Sequence, residues 1–452
     1  MKPRFLLLSA ALWLQLACAL WAQTPESSAG LARFEELFAA EPKPDAGGAA
    51  MTLDEVERAA MAANPEIAVA ARRVAVAEAH VPAAGALDDP AAMYRGWAVP
   101  LSKPWDFNQA QNMFSLSQSL PGTGKRALRT SIAQSDVDVA KAQLAQVRLE
   151  IRVRVRKAFG DLLLADEETR IHNEHVGIAR QAIEAARIKY TVGKVSQQDI
   201  LKAQVELTAL AEHMIRFDRD AGTARARLNT LMGRDADAPL AVRGQFAALA
   251  ELPPAAVLEK FALQARPDLI AARNAVERSH KEQALAKRAY APDFTVSGGY
   301  MLMPPGSSFR NNYMIEGSMT LPWLNRRKHS AEIAEAQARA TEQDAELADL
   351  RIAAFGQIQD ARVQAEAAQK LARLYQNKLL PQAEATLQSS VIAYENDKTD
   401  FLNLLDSQMT VIDVDLSWAQ AVADLDARMA DVELATGASL DEMKQAAPEV
   451  RP

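Results

Sequence analysis

The sequence is poor in the residues on which most compact enzymes are built. Its one cysteine, Cys18, sits in the extreme N-terminal stretch, so the rest of the chain can hold neither a disulfide framework nor a cysteine-ligated metal. Aromatic residues make up 6% of 452 positions, too few for a thick aromatic core. Cationic residues are outnumbered, 51 Lys and Arg against 58 Asp and Glu, and the net charge of -7 leaves no electrostatic footprint for nucleic acid. Beyond the N-terminus no apolar run approaches the roughly 20 residues of a membrane-spanning helix. There is no Gly-x-Ser-x-Gly elbow, no phosphate-cradling glycine loop and no His-Glu-x-x-His. These absences predict a protein that is not an enzyme and has no cofactor or resident metal.

What is present begins with Lys2 and Arg4, followed by an apolar run from Phe5 to Leu20 broken only by Ser9 and Gln15. Small residues offer cleavage after Ala19 or Ala22, the pattern of an export signal. An N-terminal anchor helix is the alternative, for which the run is short. Ala17 suits a lipobox ending at Cys18, but Gln15 does not. The expectation is a signal at 1–22, a flexible segment at 23–50, and a mature chain with neither cysteine nor lipid.

The remainder is one unit written twice, at an offset close to 202 residues. Asn64-Pro65 answers to Arg266-Pro267, Asp89-Pro90 to Ala291-Pro292, and Leu120-Pro121 to Leu321-Pro322. Tyr190 answers to Tyr394, Ile200-Leu201 to Leu404-Leu405, and Leu231-Met232-Gly233 to Ala435-Thr436-Gly437. Anchors in this order mark a duplication. They set a first repeat at 51–240, a second at 241–440 and a tail at 441–452.

Each repeat has the same grammar. A helix opens it, capped by Thr52 with Glu55 three residues on before an apolar-periodic run to about Ala79 in the first copy, and running from Pro267 to about Tyr290 in the second. Two alternating runs follow, at about 92–101 and 113–120, then at about 293–302 and 313–321. In Phe114 to Leu120 the apolar residues face one way and the serines the other, with Gln118 the breach. Tyr313, Ile315, Met319 and Leu321 likewise oppose Glu316, Ser318 and Thr320. Period two means strands with one apolar face. The run from Met93 to Leu101 is weaker, since Arg95 interrupts its apolar side. Aromatics gather here (Tyr94, Trp97, Trp105, Phe107, Tyr300, Tyr313 and Trp323), as the interfacial girdles of a membrane barrel require. A soluble hairpin packed on a helix is the plainer alternative.

Long helices come next, each broken at Tyr190 or Tyr394 before a second one. Val137, Ala140, Leu144, Val147 and Ile151 form a heptad seam, and Leu347, Leu350, Ala354, Ile358, Ala361, Ala365, Ala368 and Ala372 form another with one slip. Without proline from Ala127 to Lys189, one helix would reach roughly 90 Å. A seam this narrow needs a bundle to support it.

Four strands cannot close a barrel, and an open sheet in lipid leaves its edges unsatisfied. Copies must pool strands. Two copies give eight, a barrel filled by its own side chains, and three give twelve, wide enough for a lumen. The duplicated units, the Tyr190-Thr-Val-Gly193 loop, Asp199-Ile-Leu201 with Ala203-Gln204, and Tyr394 with Leu404-Leu405-Asp406 and Ser407-Gln408 together resemble the TolC-like family of outer-membrane efflux proteins. The resemblance covers essentially the whole mature length. It implies a mainly α chain with membrane β, built as duplicated helix-strand-strand-long helix-helix units. Three copies would form a 12-stranded β-barrel continuing into a periplasmic α-helical coiled-coil tunnel. It further implies an outer-membrane channel, a passive exit duct for small molecules or metal ions. Its partners would be a periplasmic adaptor, an inner-membrane pump of the RND type, outer-membrane lipid and no nucleic acid. A type I protein secretion channel and a soluble periplasmic coiled-coil scaffold are the competing readings.

By the same resemblance Tyr190, Gly193, Tyr394 and Asp397 are adaptor-contact tips, although Asp397 stands where the first copy has Gly193. Asp406 matches an acidic position ringing the periplasmic aperture. Asn403 stands at a second such position, so Asp400 and Asp199 are candidates to replace the missing charge. Ordinary C-caps and solvated helix faces are the plain alternatives at these positions. His172 and His175, with Glu168 one turn earlier, share a helix face, where a wet surface is a simpler reading than a metal site. Met93, Met113, Met301, Met303, Met314 and Met319 near the strands admit a copper or silver reading, but methionine also fills irregular apolar surface. The segment Met113 to Lys125, ending Pro121-Gly122-Thr123-Gly124-Lys125, resembles family members that accompany heavy-metal efflux systems.

Overall fold

The computed structural model describes residues 50–192, 196–246, 252–396, 398–440 and 442–443. The expected signal, nearly all of the segment 23–50 and most of the tail lie outside them. Helix α1 (Leu53–Ala63) starts as expected: the Thr52 amide donates to the Glu55 carboxylate at 2.8 Å, and the Glu55 amide donates to the Thr52 hydroxyl at 3.4 Å. The apolar run does not continue as one helix, however. Pro65 forces Asn64 into an extended conformation, and α2 (Pro65–Gly85) starts afresh with the Asn64 side chain as its cap. Strands β1 (Ala91–Trp97) and β2 (Gln111–Leu120) follow, then the long helix α3 (Lys125–Thr191) and its return α4 (Gln197–Leu231).

The second copy repeats this order: α5 (Ala255–Ala265), α6 (Pro267–Lys287), β3 (Phe294–Leu302), β4 (Asn311–Met319), α7 (Arg326–Leu374), α8 (Leu380–Glu395) and α9 (Phe401–Thr436). Among the described residues the copies differ most plainly in the long helix. Where α3 runs unbroken through 67 residues, roughly 100 Å, α7 and α8 are joined by a π-turn at Tyr375–Leu379. Pro381 in the first turn of α8 has no amide hydrogen to donate, and the wider turn absorbs that loss.

The duplication is visible in hydrogen bonds. Asn64 Nδ2 donates to the Leu231 carbonyl at 2.9 Å, and the equivalent Arg266 Nη1 donates to the Ala435 carbonyl at 3.1 Å. Each bond ties the last helix of a repeat back to its first. Gly233 and Gly437 lie beside these contacts with φ of 67° and 75°, and a Cβ on Gly437 would come within 2.6 Å of the Arg266 backbone. Only glycine suits that junction.

Among the described residues, three apolar clusters hold the helices. Val56, Ile151, Leu162 and Leu228 join α1, α3 and α4 in the first copy. Leu258, Ile358, Leu425 and Met429 join α5, α7 and α9 in the second, with Ala354, Ala361, Ala365, Ala368 and Ala372 buried along the expected α7 seam. Ile171, Leu210, Phe217, Phe401 and Ile412 form a third cluster shared by both copies. Arg156 crosses from α3 to α9, bonding Asp426 at 2.7 Å and Glu433 at 3.1 Å.

Candidate functional site

The strands form one antiparallel sheet in the order β1-β2-β3-β4, with β2 pairing to β3 across the two copies. Cross-strand partners share a face, so the register sorts the side chains. Tyr94, Phe114, Tyr300 and Tyr313 are successive partners and make an unbroken aromatic rung across all four strands. Their rings touch: Tyr94 to Phe114 at 5.1 Å and Tyr300 to Tyr313 at 5.9 Å between centroids. The same face carries Leu116, Phe294, Val296 and Ile315, and it is bare: Tyr313 is 90% and Ile315 89% exposed. Gln118 breaches it, but its Nε2 donates to the Asp88 and Ser119 carbonyls. The opposite face carries Ser115, Ser117, Ser297, Thr295, Glu316 and Ser318.

Two expectations for β1 need correction. The strand ends at Trp97 and does not reach Leu101, because Ala98 takes a φ of 56° and Pro100 follows. Arg95 does not interrupt the apolar side. It pairs with Met113, on the polar face, and the expectation was out of phase by one residue. The outer sides of β1 and β4 have no strand partner among the described residues. Each therefore presents an unpaired row of backbone donors and acceptors.

The Pro121 to Lys125 segment joins the sheet to the long helix. Lys125 Nζ and the Gly122 amide both donate to Asp293 Oδ1, at 2.8 and 2.6 Å, tying the end of β2 to the start of β3. Gly122 sits so close to Pro292 that a Cβ would lie 2.7 Å from its carbonyl oxygen. Gly124, at a φ of 85°, caps α3.

At the far end of the helices, Tyr190 is exposed and Tyr394 half-buried. Gly193 and Asp397 lie outside the described residues. The Tyr394 ring packs on Phe401 at 6.1 Å, and the Lys189 ammonium sits over it at 3.6 Å. The two hairpin ends are thereby fastened side by side. Of the three acidic candidates, two have local work. Asp199 closes a capping box with Ser196, and Asp400 caps α9 by accepting from the Asn403 amide at 2.9 Å. Sequence reasoning missed both roles, although Ser196-x-x-Asp199 carries the capping signature. The exposed Asp406 is different: its carboxylate has no hydrogen-bond or ion partner among the described residues.

His172, His175 and Glu168 are not a wet surface. All are buried between α3, α4 and α9. His175 bonds Asp415 and Gln408, each at 3.1 Å, and Gln420 donates to Glu168 at 2.7 Å. His172 packs against His213 and Phe217 with no hydrogen-bond partner on either nitrogen. Burial, and then the neighbouring His213, push its pKa down to about 4, so the ring is neutral.

An apolar-faced sheet with open edges, set on duplicated long helices, defines a class of membrane-inserted export proteins. The sequence matches the outer membrane efflux protein family over residues 57–234 and 259–438, one segment in each repeat. The chain belongs to that family. It is an outer-membrane efflux channel protein, not an enzyme.

Among its relatives is the cobalt-zinc-cadmium resistance protein CzcC of Cupriavidus metallidurans. It is 28% identical over 288 residues, 64% of this chain and 68% of that protein. The nickel-cobalt-cadmium resistance protein NccC of Alcaligenes xylosoxydans is 24% identical over 286 residues, 58% of this chain and 62% of that one. The chain thus spans about two thirds of these relatives' lengths. The open-state outer membrane channel MtrE of Neisseria gonorrhoeae superposes with a TM-score of 0.72 at 18% identity, covering 86% of this chain and 89% of that one.

Proposed function

We propose that three copies of this chain pool their strands into a twelve-stranded barrel in the outer membrane. Their helices then extend the barrel as a periplasmic tunnel. The observation that carries this is the sheet: an exposed apolar face with an aromatic rung, and two unpaired edges that lipid cannot satisfy. The helices support it. Leu201, Val205 and Ile215 on α4 are exposed at near-heptad spacing, on the side away from the buried Ala203, Leu210 and Phe217. Such a second seam calls for a neighbouring helix that the described residues of one chain do not supply.

The tunnel serves as the exit duct of a tripartite efflux system, powered by an inner-membrane pump of the RND type through a periplasmic adaptor. Metal ions are the cargo class that the names of the CzcC and NccC relatives favour. The hairpin ends around Tyr190, Gly193, Tyr394 and Asp397 meet the adaptor. Asp406 supplies the aperture charge, while Asp199 and Asp400 shape the helix starts beside it. Three symmetry-related carboxylates around a narrow lumen select cations.

Single-channel conductance in planar bilayers tests this. The wild-type protein conducts with cation preference and divalent block, and Asp406→Ala loses both. Asp400→Ala keeps the selectivity and costs about 1 kcal/mol of stability through the lost cap. Absence of conductance from a folded, outer-membrane-extracted protein would sink the channel reading. Unchanged selectivity in Asp406→Ala would remove Asp406 from the aperture.

A further inference from the structure

The register sorts the methionines in a way that the sequence alone does not. Met319 lies on the apolar face of β4, but Met93, Met113, Met301 and Met314 all lie on the polar face, one on each strand. Met113 and Met301 are direct partners, and Met314 is diagonal to Met301 across Gly299. Direct partners have Cβ atoms about 5 Å apart and diagonal ones about 7 Å, within reach of three-torsion side chains. These methionine positions therefore form a zigzag across the sheet, level with the aromatic rung on the other face.

A second observation marks this spot. Ser115 is the partner of both Met93 and Gly299, between them on the same face. It is 8% exposed although the sheet is open, and its hydroxyl has no hydrogen-bond partner. Gly299 lets β3 approach it closely, since a Cβ there would lie 2.7 Å from the Phe114 carbonyl and 3.0 Å from the Ser115 Cβ. A buried, unpartnered hydroxyl on the face that carries these methionines is costly unless something binds there. The Met93 sulfur already accepts from Arg95 at 3.8 Å, which leaves Met113, Met301 and Met314 as the available set.

We propose that Met113, Met301 and Met314 form a transit site for soft monovalent cations, silver(I) or copper(I). Neutral thioethers favour such ions over zinc or cobalt, which prefer imidazole and oxygen. Uncharged ligands, with the Arg95 guanidinium opposing, make the site weak enough to release its ion, as conduction requires. With Met93, the strands carry one polar-face thioether each, so three copies would complete a methionine ring inside the barrel mouth. That ring rests on the channel reading above, which places the polar face in the lumen.

Silver nitrate titrated calorimetrically into the detergent-purified protein, in chloride-free buffer, tests the site. The wild type binds silver at this site, and the Met113→Leu/Met301→Leu/Met314→Leu variant, which keeps volume and apolarity, binds it about tenfold more weakly or worse. Arg95→Gln binds it more tightly. Methyl-labelled methionine spectra report independently of the triple variant's folding: silver should shift the three resonances assigned by single leucine substitutions. Unchanged silver binding in a folded triple variant, or shifts confined to other methionines, overturns the proposal. Ser117→Cys and Leu116→Cys separate the two readings. A membrane-impermeant thiol reagent should label only the former if the polar face lines water. Labelling there without silver binding defeats the site alone, whereas silver binding without labelling defeats the lumen assignment.

Discussion

Replacing His172 with leucine should flatten the acid sensitivity of the helical region. The imidazole is 0% exposed and has no hydrogen-bond partner, and its pKa falls from 6.5 to about 4. As pH falls, the unfolded chain therefore takes up this proton before the folded one does. The stability contributed by the neutral ring is complete above pH 6.5 and is lost progressively between there and about pH 4. The loss levels off near 3 kcal/mol per chain, of which about 2 kcal/mol has gone by pH 5. Glu168, raised by burial against the hydrogen bond from Gln420, works the other way, but it is common to both proteins and cancels in their difference. Thermal melts of the detergent-solubilised protein, followed by circular dichroism at about pH 7.5 and pH 5, give that difference. The wild type should lose about 2 kcal/mol more than His172→Leu over this interval. Parallel declines in the two proteins would refute the reasoning.

Three further substitutions test the packing. Gly437→Ala should destabilise by about 2 kcal/mol or more, because it forces a left-handed residue into the Arg266 backbone. Gly222→Ala, in the interior of α4 with open space around it, should stabilise by about 0.5–1 kcal/mol in the same melts. Arg156→Met strips the half-buried partner from Asp426 and Glu433 and should cost about 2–3 kcal/mol. A loss below about 1 kcal/mol would show that those carboxylates find solvent.

Much of the architecture was legible because it is local or periodic. The Thr52–Glu55 box, the alanine seam of α7 and the alternation in β2 and β4 each announce an element through residues close together in sequence. The duplication was legible through its repeated anchors, and the Asn64 and Arg266 bonds show why those positions correspond. What stayed hidden depends on distant partners. Spacing placed Glu168, His172 and His175 on one face, but whether that face is wet is decided by Gln408, Asp415 and Gln420, more than 200 residues away. The phase of β1 was misread because seven residues with an arginine and a glycine carry little alternation of their own. Pairing with Met113 and Phe114 on β2 fixes it.

Disulfide trapping between the sheet edges tests the central claim most directly. In one chain β1 and β4 are separated by two intervening strands, about 14 Å, beyond the roughly 7 Å that a disulfide can bridge. Cysteine pairs, one scanned along Ala91–Trp97 and one along Asn311–Met319, are introduced together with Cys18→Ser. If copies close a barrel edge to edge, some registers should yield covalent trimers in the outer-membrane fraction. Monomers at every register, in protein recovered from that fraction, would contradict the account.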